Sequence, residues 1–129
     1  MKKILFVCVH NAGRSQMAQA FFNQMAKGKA KGLSAGTQPA DKVNPTVVEA
    51  MREGSIDISR RKPKMLTFEM LEDVDRIITM GCGVEGVCPA SFVPTEDWQL
   101  EDPEDKPIER VRQIRDEVKA RIEKLIKEL

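Results

Sequence analysis

Hydrophobic residues fall into two rhythms along this chain. Ile4, Leu5, Phe6 and Val7 form an unbroken run after Lys2 and Lys3, and Arg76 to Met80 carries a second run without polar alternation. Short runs of this kind read as strands buried on both faces, the habit of a parallel sheet. From Arg14 the spacing changes to threes and fours, with Met17, Ala18, Phe21, Phe22 and Met25 marking a helix that fades in residues 27–32. A short strand is predicted at Leu33 to Ala35, ending at Gly36, and Pro39 to Asn44 reads as a connector. Asn44 as N-cap with Pro45 at the first helical position starts a helix that runs to Glu53. A shorter helix is predicted around Thr67 to Glu72. Pro94 to Pro107 reads as an acidic, proline-punctuated loop holding the only tryptophan, Trp98, whose expected role is to pack that loop down. The chain closes on one long helix, Ile108 to Leu129, with Val111, Ile114, Val118, Ile122, Leu125 and Leu129 on its apolar stripe.

Strands alternating with helices predict an α/β fold, a small open parallel sheet of about four strands flanked by helices on both faces. The 129 residues suit a single domain, 1–129, with one core. Ligands of such sheets bind at the carboxyl ends of the strands, where Cys8 and the Gly81-Cys82 pair both fall.

Composition narrows the function more than the fold. With 41% hydrophobic and 32% charged residues the chain is neither disordered nor membrane-spanning, and a net charge of +1 gives no field to attract nucleic acid or a membrane surface. Attraction for an anion must therefore be local. The apolar run Ile4 to Val9 falls short of the roughly 7–15 residues of a secretory signal, so a cytoplasmic protein is expected. Three cysteines is an odd number, unlike a disulfide scaffold, and in a reducing compartment such thiols serve chemistry or metals or are simply buried.

The segment Cys8-Val9-His10-Asn11-Ala12-Gly13-Arg14-Ser15 carries the sharpest signal. A cysteine ends a strand, five residues turn, and an arginine opens a helix. Backbone N–H groups of Val9, His10, Asn11, Ala12 and Gly13, with the positive end of the helix, would then point at one spot. A tetrahedral oxyanion fits there, held in a fork by Arg14. The same field favours a thiolate at Cys8, making it the candidate nucleophile, with Ser15 placed to hydrogen-bond the sulfur. Asn11 and Gly13 suit a turn that needs left-handed backbone angles. His10 lies within the turn, either in contact with Cys8 or incidental to it. The bland alternative, a buried strand cysteine beside a surface arginine, leaves the order strand, turn, Arg-Ser, helix unexplained.

This string, continued through Gln16-Met17-Ala18, resembles the arsenate reductase branch of the low-molecular-weight protein tyrosine phosphatase family. The resemblance extends along nearly the whole chain and implies that family's fold. It also implies a general acid directly before a proline late in the chain, which Asp102 before Pro103 supplies, with Glu101 the near alternative. The phosphatases commonly carry tyrosine after this Asp-Pro to wall an aromatic substrate. Here Glu104 follows and the chain has no tyrosine, which suits a small inorganic anion better.

The same resemblance gives the other two cysteines a use. In thioredoxin-coupled arsenate reductases three cysteines act in turn, which on these positions makes Cys8 the attacker of arsenate, Cys82 the thiol that resolves the adduct, and Cys82 with Cys88 the redox-active disulfide that thioredoxin reduces. The glycines around Cys82 and Cys88 fit such thiol–disulfide exchange. Buried cysteines, or zinc held by Cys8, Cys82, Cys88 and His10, are the competing readings, the latter lacking the paired short spacings of structural zinc sites. No cofactor and no resident metal are expected, phosphate and sulfate are expected to fit the same loop as arsenate, and a monomer is expected. Some relatives bind potassium through the loop asparagine, a helix glutamate and a serine of the second strand. Asn11 and Ser34 match, but Gln19 stands in place of the glutamate, so a strong potassium site is not expected. A phosphomonoesterase with redox-regulated thiols is the alternative activity.

Overall fold

The computed structural model describes residues 2–80 and 95–129. Among these, β1 (Lys2–Cys8), β2 (Ala30–Gly36), β3 (Arg76–Thr79) and β4 (Thr95–Asp97) form one 4-stranded sheet in the order β2-β1-β3-β4. Every pairing is parallel, running from Lys2 opposite Ala30 to Cys8 opposite Gly36 and from Ile4 opposite Arg76 to Val7 opposite Thr79. The apolar run of β1 is thus the middle of the sheet, and Ile4 to Val7 are all buried.

Alternation along β1 divides the interior into two clusters, one on each face of the sheet, where the sequence reading expected one core. Ile4, Phe6 and Cys8 face a large cluster with α1 (Arg14–Ala26), α2 (Pro45–Arg52) and α4 (Ile108–Glu128). Leu5 and Val7 face a smaller cluster completed by Met70 and Leu71 of α3 (Phe68–Glu72). Phe6 stacks at a tilt on Phe22 and Trp98, with ring centroids 5.7 and 6.0 Å apart. Removing so large a buried ring as Phe22 would cost about 3–5 kcal/mol. The expected sheet with helices on both faces is therefore present.

Beyond shifts of one residue at element ends, the elements depart from the sequence reading in three places. The second strand begins at Ala30, not Leu33, because its inward positions are Ala30, Gly32 and Ser34, which give no apolar rhythm. Gly32 lies under Phe22, and Asn23 of α1 holds both its N–H and its C=O. The segment expected to be all loop contains β4, a polar edge strand that leads to buried Trp98. Leu129, placed on the stripe of the last helix, is 45% exposed.

The α2 cap follows expectation, with Asn44 accepting from the N–H of Thr46 and Pro45 at the first turn. Among the described residues no helix is long and apolar enough to cross a membrane.

Candidate active site

The turn after β1 is shaped by where its carbonyls go. The carbonyls of Cys8, Val9, His10 and Ala12 accept from the N–H groups of Thr37, Gln38, Ala40 and Asn44 respectively, at 2.8–3.3 Å. The segment after β2 thus draws the turn's acceptors outward and leaves its donors to face the centre. This lacing needs close approach at Gly36, where a Cβ would lie 2.7 Å from the Val9 carbonyl oxygen and 2.9 Å from the Asn11 nitrogen. Asn11 takes a left-handed backbone, φ 51°, a region asparagine tolerates better than most residues, whereas Gly13, expected to share it, has φ −143°.

Two donors converge on the sulfur of Cys8, which is 2% exposed. The N–H of Asn11 donates to it at 3.2 Å and Ser15 Oγ lies 2.8 Å away. The direction of the second contact follows from the neighbours. Asn11 Oδ1 accepts from the N–H of Lys64 and from Gln16 Nε2, so its Nδ2 must face Ser15, to which it donates at 2.7 Å. A hydroxyl that already accepts there is left to donate its own proton to sulfur. This is a setting for a sulfur that carries negative charge.

Arg14, 3% exposed at the start of α1, spends Nη1 on the carbonyls of Met80 and Leu100, each at 3.0 Å. That anchorage fixes the plane of the guanidinium at the carboxyl end of β3. Its Nη2 lies 3.6 Å from Asp102 Oδ2, within charge attraction but beyond a hydrogen bond. Asp102 caps its own loop by accepting from the N–H of Glu104. Glu101, the near alternative, is turned away: Arg110 grips both its oxygens and, with Lys106 nearby, holds it below the usual carboxylate range.

Cys8, Arg14 and Asp102 line one open cleft of about 690 Å³, with His10, Pro103 and Glu104 at its walls. His10 turns its ring from the sulfur: Nδ1 pairs with the Gln38 carbonyl at 3.1 Å and Nε2 lies 3.7 Å from Glu104. His10, Asp102 and Glu104 could each offer a ligand atom to a metal ion at this rim, all within 4.8 Å of one another. Ser34 and Gln19 satisfy each other, Ser34 Oγ donating to Gln19 Oε1 at 2.6 Å while Gln19 Nε2 reaches the Gly32 carbonyl. Cys82 and Cys88 lie outside the described residues.

Sequence reasoning missed Gln16, Gly36 and the Lys64 N–H. Only Gln16 left a trace, as a glutamine at the third position of a helix, where such side chains reach back over the preceding turn.

A thiol under two donors, a buried arginine and a carboxylate thus meet in one cleft. Residues 3–129 match the low molecular weight phosphotyrosine protein phosphatase family, and the chain belongs to it. It is 40% identical over 130 residues to the glutaredoxin arsenate reductase of Synechocystis, covering 98% of this chain and 97% of that one. Among solved structures, an arsenate reductase in the phosphate binding state superposes with TM-score 0.87 at 40% identity, covering 99% of this chain and 98% of that chain. A thioredoxin-dependent arsenate reductase from Corynebacterium glutamicum gives TM-score 0.85 at 40% identity, over 99% of this chain and 61% of that one. A low molecular weight protein tyrosine phosphatase from T. tengcongensis gives 0.90 at 26% identity, over 100% of both chains.

Proposed function

We propose that this protein reduces arsenate to arsenite, using Cys8 as nucleophile and Cys82 and Cys88 as the source of electrons, with thioredoxin as the reductant. The observation that carries the reading is the double-donor setting of the Cys8 sulfur beside the anchored Arg14 guanidinium. The likeness to arsenate reductases at 40% identity supports the choice of anion.

The thiolate of Cys8 attacks arsenic(V), which Val9, His10, Asn11, Ala12 and Gly13 hold through backbone N–H groups and Arg14 through its fork. Asp102 gives a proton to the departing oxygen, which leaves as water, and a sulfur–arsenic bond replaces the oxygen–arsenic bond. The thiolate of Cys82 then attacks the Cys8 sulfur. The electron pair of the sulfur–arsenic bond passes to arsenic, arsenite leaves, and a Cys8–Cys82 disulfide remains. Cys88 attacks Cys82, returning the Cys8 thiolate and leaving a Cys82–Cys88 disulfide. Thioredoxin, a dithiol, supplies two electrons to this intramolecular disulfide, and the likeness to a thioredoxin-dependent arsenate reductase supports that choice of donor.

The test is a coupled assay with thioredoxin, thioredoxin reductase and NADPH. Arsenate-dependent NADPH oxidation that vanishes in Cys8→Ser, Cys82→Ser and Cys88→Ser supports the reading. Arsenate that only inhibits, while an aryl phosphate is hydrolysed rapidly, selects the phosphatase reading. That second reading is favoured by Cys8, Arg14 and Asp102 being a complete set for phosphomonoester hydrolysis.

A further inference from the structure

We infer that Gln16 is a positioning residue for the nucleophile, acting through Asn11 and Ser15; the inference rests on the role proposed above for Cys8. Its side chain is 2% exposed in the first turn of α1. Nε2 donates to both the carbonyl oxygen and Oδ1 of Asn11, each at 3.1 Å.

These two bonds do separate jobs. Four of the five turn carbonyls from Cys8 to Ala12 are drawn outward by main-chain N–H groups, and the fifth, that of Asn11, is taken by Gln16. The left-handed residue at the centre of the turn is therefore held by a side chain. The bond to Oδ1 fixes which way the Asn11 amide faces, shared with the N–H of Lys64. With Oδ1 so engaged, Nδ2 meets Ser15, and the Ser15 proton is directed to the Cys8 sulfur. A flipped Asn11 amide would instead offer Ser15 an acceptor, drawing that proton away from sulfur.

The other half of the Gln16 amide points to the same conclusion. Its Oε1 is buried and has no hydrogen-bond partner among the described residues. An unpaired buried acceptor is costly, so stability alone does not favour glutamine here. What the residue gains is on the Nε2 side, toward the nucleophile.

Gln16→Met keeps the length of the side chain and removes both donors. It exchanges one unpaired acceptor, Gln16 Oε1, for another, the Asn11 carbonyl, so thermal stability should change little. Trypsin releases Ile4–Arg14, which contains Cys8 as its only cysteine, so alkylation of Cys8 by iodoacetamide can be read by mass spectrometry in the intact three-cysteine protein. In Gln16→Met the pH profile of Cys8 alkylation should move to higher pH. The rate near neutrality should fall about tenfold, the size of one lost hydrogen bond to a charged group. In turnover kcat should fall while KM for arsenate holds.

An unchanged alkylation profile overturns the inference. If Gln16→Met melts well below the unsubstituted chain, Ile122→Val, a conservative change in the distant core, serves as the control. Equal losses of Cys8 reactivity in the two variants overturn the inference, and a loss confined to Gln16→Met sustains it. Absence of arsenate turnover in the unsubstituted chain would count against the proposed function alone, since alkylation reads Cys8 without it.

Discussion

Pro103 sits on Gly13 so closely that a Cβ added to the glycine would lie 2.6 Å from Pro103 Cγ. The loop carrying Asp102, the proposed acid, thus rests directly on the turn that follows Cys8. Gly13→Ala should push Pro103 outward and carry Asp102 from the cleft. We expect a loss of about 10²-fold in the rate of adduct formation, the lower range of what a general acid supplies. Rapid-quench measurement of that step in the variant checks it.

Asp102→Asn leaves the loop in place but removes the proposed proton donor, which is also the carboxylate facing Arg14. The expected outcome is a kcat lower by about 10²–10⁴-fold with little change in KM for arsenate. Glu101→Gln, which removes a carboxylate already held ionised by Arg110, should leave kcat close to its original value. Steady-state kinetics of the two variants side by side distinguishes the acids.

Glu53 at the end of α2 ties that helix to Arg112 and Arg115 of α4. Hydrogen bonds from these arginines hold its carboxyl below the ordinary value of 4.5. A carboxylate depressed in the folded state contributes stability that is present above its unfolded value and lost as pH falls through the folded one. Glu53→Gln should therefore melt earlier than the unsubstituted chain at pH 7, with the difference closing as pH drops below 4.5. Thermal melts from pH 7 to pH 3 check the sign, and added salt should shrink the difference.

The contact between Ser34 and Gln19 predicts indifference to potassium. Both side chains are satisfied within the protein, and glutamine brings no negative charge to hold a cation. Exchanging sodium for potassium chloride at equal ionic strength should alter neither melting temperature nor kcat. Gln19→Glu, which supplies the missing charge, should make the melting temperature rise with potassium.

How legible this site was depended on whether residue type and chain order were enough to place a group. Cys8, Arg14 and Ser15 were readable because strand, turn and helix fix their relative positions over a few residues. Asp102 needed a resemblance, because its approach to Arg14 depends on the Pro103–Gly13 contact, which no local pattern encodes. The polar β4 escaped for a similar reason: an edge strand of Thr-Glu-Asp is defined by its neighbour, not by its own rhythm. Ala30 joins β2 through its register with Lys2, while the alternation there is of small residues. Gln16 left only its place at the third position of α1 as a trace, because its partners, the carbonyl and Oδ1 of Asn11, take their orientation from the folded turn.

The most direct test of arsenate reduction is a single turnover without external reductant. Fully reduced protein mixed with excess arsenate should lose two thiols per molecule and release one equivalent of arsenite, with peptide mapping placing the disulfide at Cys82 and Cys88. Survival of all three thiols with no arsenite released would contradict the account.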